Sequence, residues 1–365
     1  MTGGKTGGVY AVVHNAQRTK RLDARGETPI NGPITPGTAV HSAKALACRA
    51  MSSSTGPEGG LPVRMPRPRK PGRHRRPEPV VAPEGAPALV LAVPGEPSAP
   101  VRSLAEEIIS IARSELPGMD ARVAFVDGAD GEFPGVEAVL SQVVAERAAR
   151  AARRPADADA AEHGEASTAG TEPLSAVVVP LLAGPDAAVL RRIRQAVLNS
   201  GSGAELTDVL GPHPLLAEAV HVRLSEAGLA RADRARLFTV ATAADGIVLA
   251  TVGGEEAVQV AGITGMLLAA RLAVPVLAAP LDEEGAVARA AAELTAAGSQ
   301  QLAVAPCLIG PEVPGGLVTA AAQEAGCHAA EPLGAYPAIG KLVASAYGAK
   351  AGIGAAGAPQ SSVAH

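Results

Sequence analysis

His213 lies in the stretch Leu210-Gly-Pro-His-Pro-Leu-Leu216. A neutral imidazole there can bind a divalent metal or accept a proton near neutral pH. The plain alternative is an exposed loop histidine held between two prolines. Four carboxylates stand just ahead of helical stretches: Glu96, Asp186, Glu255 and Glu256. Such groups hold a hard cation, or they cap the helix, whose N-terminal end favours negative charge. Gly253-Gly254, also ahead of a helix, offers backbone N–H groups to an anion or simply makes a tight turn. Gly95 occupies the matching place in the earlier loop Pro94-Gly-Glu-Pro-Ser98. Cys307 is either a thiolate donor or a small buried apolar group. Cys327-His328 falls at the start of an expected strand, the wrong end for a ligand. His221, on the helix after His213, reads as a surface residue.

These positions recur because one strand–helix cycle runs twice along the chain. Ala88-Leu-Val-Leu-Ala-Val-Pro-Gly95 is matched by Gly246-Ile-Val-Leu-Ala-Thr-Val-Gly-Gly254. Val177-Val-Val-Pro-Leu-Leu-Ala-Gly-Pro185 is matched by Leu302-Ala-Val-Ala-Pro-Cys-Leu-Ile-Gly-Pro311, and Asp208–Leu216 by Glu331–Ile339. Continuous apolar runs alternate with helical stretches, which predicts parallel strands covered on both faces. Strands are expected at 88–93, 121–126, 175–180 and 204–209, then at 247–252, 274–279, 301–306 and 328–332. Helices are expected at 102–116, 135–152, 187–199 and 214–227, then at 256–272, 284–297, 315–325 and 337–347. The fold class is therefore α/β, with two tandem lobes over 86–230 and 231–348, each a parallel sheet flanked by helices. Leu237–Ala241 reads as a further short strand, 153–173 as a mobile insertion, and 1–85 and 349–365 as disordered ends. Ligands of open parallel sheets bind beyond the carboxyl ends of the strands, where the residues above fall.

Apolar residues make up 47% of the chain but aromatic ones only 2%, so the cores must be built from Ala, Val and Leu. Three cysteines in 365 residues point to a reducing compartment rather than a disulfide framework. No signal-peptide pattern opens the chain. The longest apolar run, Ile263–Leu281, is interrupted by Arg271 and Pro275, which argues against a membrane span. The expectation is a soluble, cytoplasmic protein with no membrane partner. Residues 1–85 carry 14 Lys or Arg against 5 acidic residues, which leaves the remainder at −13 within an overall −4. The basic run Met65–Arg76 reads as a tether for phosphates or as a solvated leader, and no nucleic-acid partner is expected. Gly4-Lys5-Thr6 lacks the strand, upstream glycine and helix of a phosphate loop.

The phrases Val-Val-Pro-Leu-Leu, Leu-Gly-Pro-His-Pro-Leu-Leu and Leu-Gly-Ala-Tyr-Pro, in this strand order, resemble the sirohydrochlorin chelatase family of small cobalt and iron chelatases. The resemblance covers residues 88–228 and, more faintly, 246–346. It implies two chelatase-like lobes with a macrocycle between them, and insertion of Co²⁺ or Fe²⁺ into sirohydrochlorin or a related tetrapyrrole. No cofactor beyond that substrate metal is implied. The family's metal-binding and proton-accepting histidines follow the first and third strands. Here Pro94 and Val252 stand after the first strands, with Ala187-Ala188 and Glu312–Pro314 after the third. The resemblance then leaves His213 as catalytic residue, with His213, Glu96 and Glu255 as metal ligands. Arg191, Arg192 and Arg194, with Gly95, Gly253 and Gly254, are left to bind the carboxylated macrocycle. Arg102 is a further cation near the cleft. The alternative is a catalytically degenerate homologue that binds tetrapyrrole or metal or regulates the pathway. A cytosolic two-lobed small-molecule binder is a third reading. The duplication suits a monomer that replaces a pair of single units, or a homodimer.

Overall fold

The computed structural model describes residues 80–129, 131–153, 174–230 and 243–353. The apolar runs become strands whose side chains alternate between two covered faces. In the first lobe, β1 (Ala88–Val93), β2 (Ala121–Phe125), β3 (Ala176–Pro180) and β4 (Glu205–Leu206) form a parallel sheet in the order β2-β1-β3-β4. Its helices are α1 (Ala99–Glu115), α2 (Val136–Arg153), α3 (Ala187–Ser200) and α4 (Pro214–Glu226). The second lobe repeats the plan. There β5 (Gly246–Thr251), β6 (Val276–Pro280), β7 (Leu302–Pro306) and β8 (His328–Ala329) run parallel in the order β6-β5-β7-β8. They alternate with α5 (Gly254–Leu272), α6 (Ala286–Ala296), α7 (Leu317–Glu324) and α8 (Pro337–Lys350). The chain is thus a two-lobed, Rossmann-like α/β protein.

The strands expected at 204–209 and 328–332 shorten to two residues each. The chain still runs beside the sheet, but its bonds become intermittent: Leu210 N–H donates to Leu182 O at 3.0 Å and Leu333 N–H to Leu308 O at 2.9 Å. The first lobe begins ahead of residue 86, since Ala82 is buried and its N–H donates to Pro117 O at 2.8 Å. At the other end Ile353 N–H donates to Gly348 O, which ties the start of the expected tail to α8. Leu237–Ala241, residues 154–173 and the basic extension through residue 79 lie outside the described residues.

Side-chain alternation along the strands decides where each core sits. Val90 and Ala92 face α2 and α3, while Val248 and Ala250 face α6 and α7, giving each lobe an outer core. The opposite faces, Leu89, Leu91 and Val93 with Ile247 and Leu249, contribute to a single larger core. That core holds residues of α1, α4, α5 and α8 from both lobes. The lobes therefore share one apolar interior.

Polar groups lock this junction. Tyr347 of α8 is fully buried and donates its hydroxyl to Pro87 O at 2.7 Å; burial pushes its pKa up to about 12. Arg223 of α4 donates through Nε and Nη2 to Leu333 O of the other lobe, at 3.1 and 2.7 Å. His221 is only 3% exposed and accepts at Nδ1 from Arg271 Nε of α5 at 2.8 Å. The expectation of a surface histidine is thereby corrected, because α4 is packed between lobes rather than against solvent. Among the described residues no helix is long and apolar enough to cross a membrane. The Ile263–Leu281 run divides into the end of α5, a turn at Ala273 and strand β6.

Gly340 sets the approach of α8 to α1, because a Cβ there would lie 2.4 Å from Ile111 Cγ2 and 3.2 Å from Ala112 N. Gly340→Ala is expected to destabilise the protein by about 1–3 kcal/mol through overpacking, despite the better helix propensity of alanine. Urea unfolding of the two proteins measures the difference.

Candidate functional site

In each sheet the strand order reverses between the first and third strands, and at such a switch point the following loops diverge to leave a crevice. Gly95 follows β1 with φ of 80°, and a Cβ on it would sit 1.8 Å from Pro311 O of the other lobe. Gly253 follows β5 with φ of 109°, and a Cβ on it would sit 2.3 Å from Pro185 O. The same contact is thus made twice with the lobes exchanged. Both glycines supply a left-handed backbone and the space that a carbonyl needs.

The crossing of the β1 and β7 loops borders a cavity of about 480 Å³. Gly95, Glu96, Val101 and Leu104 line it from one lobe, and Gly310, Glu312 and Gly315 from the other. No Lys or Arg is among its lining residues. Glu312 folds back beneath it and accepts from Ile309 N at 2.8 Å and Gly310 N at 2.6 Å. Burial pushes its carboxyl pKa up, opposed by the backbone N–H groups of Ile309 and Gly310 and by the backbone of Ala183 from the first lobe. Cys307 is buried close by. Burial, aided by the charge of Glu312, pushes its thiol up to about 12, so it stays protonated at neutral pH and serves as an apolar group.

The other sequence-selected residues are dispersed. His213 caps α4, its Nδ1 accepting from Leu215 N at 3.1 Å. In the neutral ring the proton then sits on Nε2, so neither nitrogen offers a free lone pair in this arrangement. His213 does not line the cavity. Of the carboxylates, Glu96 does and is exposed. Glu255 is also exposed, at the other loop crossing, where Gln259 reaches it at 3.4 Å. Among the described residues no three His, Cys, Asp or Glu side chains form a metal-holding group, so His213, Glu96 and Glu255 are not brought together as ligands. Asp186 caps α3 through Ala188 N and Val189 N, both at 2.9 Å, and Glu256 lies in the first turn of α5.

Gly253 N–H donates to Asp282 Oδ2 at 3.3 Å, so the chain's own carboxylate meets the N–H proposed for a ligand. Gly254, with φ of 78°, stays open to solvent. Arg191, Arg192 and Arg194 are exposed on α3, which covers the outer core, and none lines the cavity. Arg192 instead pairs with Asp127. Arg102 pairs with Glu132 at 3.4 Å and lies 4.5 Å above the Phe133 ring, a cation–π contact. Cys327 donates to Ala325 O and His328 opens β8, at the sheet end remote from the cavity. Residue type alone does not mark Glu312 or the two proline carbonyls as site groups. Their signal is a repeated tripeptide, Gly184-Pro185-Asp186 and Gly310-Pro311-Glu312.

No family model and no curated protein matches this chain. Among solved structures, the periplasmic ribose ABC transporter of Conexibacter woesei aligns at 12% identity and a TM-score of 0.26. The match covers 62% of this chain and 65% of that one, less than two thirds of that chain's length. A likeness this slight bears on neither ligand nor activity.

Two outcomes test the site. His213→Ala removes a cap and is expected to cost about 0.5–2 kcal/mol in urea unfolding, with His213→Asp recovering most of it. For Glu312, a pKa raised in the folded state means that stability from this group is fully present below its unfolded pKa and is lost as pH rises through the folded value. Wild-type stability relative to Glu312→Gln should therefore rise as the pH is lowered from the alkaline side towards the ordinary carboxylate range, as read in parallel unfolding curves. A difference that is flat with pH would show that the carboxyl is not perturbed.

Proposed function

We propose that this chain is a chelatase-like protein of tetrapyrrole metallation, acting in the cytoplasm, which holds a sirohydrochlorin-type macrocycle between its lobes without inserting the metal. The observation that carries the reading is the cavity of about 480 Å³ where a first-strand loop of one lobe crosses a third-strand loop of the other. Its volume falls in the usual range for small-molecule sites, roughly 300–1,000 Å³. Its Val, Leu, Pro and Gly walls suit the apolar face of a macrocycle, with the carboxylate arms left towards solvent. Pro94, Val252, Ala187 and Ala188 neither ligate a metal nor accept the pyrrole protons that insertion expels. This favours binding over catalysis. A cytoplasmic setting is supported by Cys307 and Cys327, both free thiols.

One observation favours a second reading, insertion of Co²⁺ or Fe²⁺ as the substrate metal. Glu96 and Glu312 line the same cavity from opposite lobes, and two carboxylates can receive a divalent cation. The two readings separate when the full chain is incubated anaerobically with sirohydrochlorin, with and without Co²⁺, and the absorption spectrum is followed. Binding alone gives a spectral change without metal and no acceleration with it. A metallation rate above the protein-free control would establish the chelatase reading. No change in either arm would remove the macrocycle. Gly315→Trp, at an open position on the cavity wall, should weaken macrocycle binding at least tenfold while leaving thermal unfolding unaltered.

A further inference from the structure

The two lobes share a plan but finish their second strands differently. Strands β2 and β6 each lie at a sheet edge. In β2 the odd-numbered residues turn their backbone groups outward, because Leu89 N–H donates to Asp120 O and Val126 N–H to Val93 O. The chain itself occupies that edge. Arg113 Nη2 donates to Ala121 O at 2.7 Å, Phe125 N–H donates to Pro134 O at 2.9 Å, and Arg122 forms ion pairs with Asp120 and Glu146. Such capped, charged edges resist pairing with another strand.

In β6 the outward residues are Val276 and Ala278, because Ile247 N–H donates to Pro275 O and Leu281 N–H to Thr251 O. Among the described residues no group bonds to their outward N–H or C=O. The helix above this edge differs in the same sense. In α1 the buried residues Ala105, Ile108, Ile109 and Ala112 leave Glu106, Glu107, Ser110 and Ser114 exposed. In α5 the buried residues Ala261, Thr264, Gly265 and Leu268 repeat that spacing, yet Ile263 is 43%, Met266 67% and Leu267 39% exposed. Gly265 brings this helix down onto the edge strand, since a Cβ there would lie 3.3 Å from Val276 Cγ1.

We propose that this edge and helix face join two copies of the chain about a two-fold axis. An occupant that matches this surface offers an open strand edge beside an apolar helix stretch. A second copy offers both, through β6 and through Ile263, Met266 and Leu267, between the charged ends of α5. Residues 274–280 read Val-Pro-Val-Leu-Ala-Ala-Pro and carry no charge, so the edge meets itself without repulsion. With the axis at Leu277, Val276 of each copy exchanges N–H and C=O bonds with Ala278 of the other, as antiparallel pairing requires. Pro275 and Pro280 bound the pairing, and the capped β2 edge keeps it closed at two copies.

Size-exclusion chromatography with light scattering on the full chain should give twice the 36.3 kDa chain mass. Met266→Glu and Ala278→Pro should each give a monomer with a retained thermal unfolding transition. Ser110→Glu, on the matching face of α1, should stay dimeric. Leu277→Cys should form an interchain disulfide on mild oxidation that wild type does not, because Leu277 faces its own mate at a Cα separation of about 4.5 Å. A wild-type monomer at high micromolar concentration would overturn the proposal. So would a dimer that survives both Met266→Glu and Ala278→Pro without a cross-link through Leu277→Cys.

Discussion

Backbone can rest on backbone between the lobes only where no side chain intervenes, and this fold depends on two such places. Gly95 meets the Pro311 carbonyl and Gly253 meets the Pro185 carbonyl. Each pairs a loop after a first strand with a loop after the other lobe's third strand. Any β-carbon at either glycine would drive the loops apart, and the left-handed φ values make a side chain strained in any case. The switch points of the two sheets are held together by these contacts, and the cavity borders one of them.

The shared interior makes that loop geometry rigid. Helices α1, α4, α5 and α8 contribute to one apolar core together with the inner faces of both sheets. The polar groups that cross it, Tyr347 to Pro87, Arg223 to Leu333 and Arg271 to His221, end on partners in the opposite lobe. Buried bonds of this kind lose more when one partner is removed than they gain when formed, so they specify a single docking geometry. The cavity walls are accordingly set by the packing of helices remote from the cavity.

Local pattern was legible along the chain, and contact between distant segments was not. β1 falls at Ala88–Val93, where the apolar run begins and ends, because a strand buried on both faces must be apolar at every residue. The repeat placed the loops after β1, β3, β5 and β7 in the right region. It did not reveal that Asp282 approaches Gly253, or that Arg271 buries His221, because those partners lie 29 and 50 positions away with no periodic signal between them. His213 looked like a ligand because imidazole chemistry is general. Its actual partner, Leu215 N–H, is two residues on, a capping use more familiar from Ser or Asp. Glu312 was seen only as the occupant of a position where histidine was sought. Its role lies in loop backbone groups that no residue type announces.

The hydroxyl of Tyr347 reaches back 260 positions to a carbonyl just ahead of the first strand. During synthesis at roughly 5–20 residues per second, the inner face of the first sheet emerges on the order of ten seconds to a minute before α8 exists to cover it. A chain of such high contact order must keep Leu89, Leu91 and Val93 out of other associations throughout that interval. The duplicated unit thus gains a continuous interior that is complete only once α8 has been made.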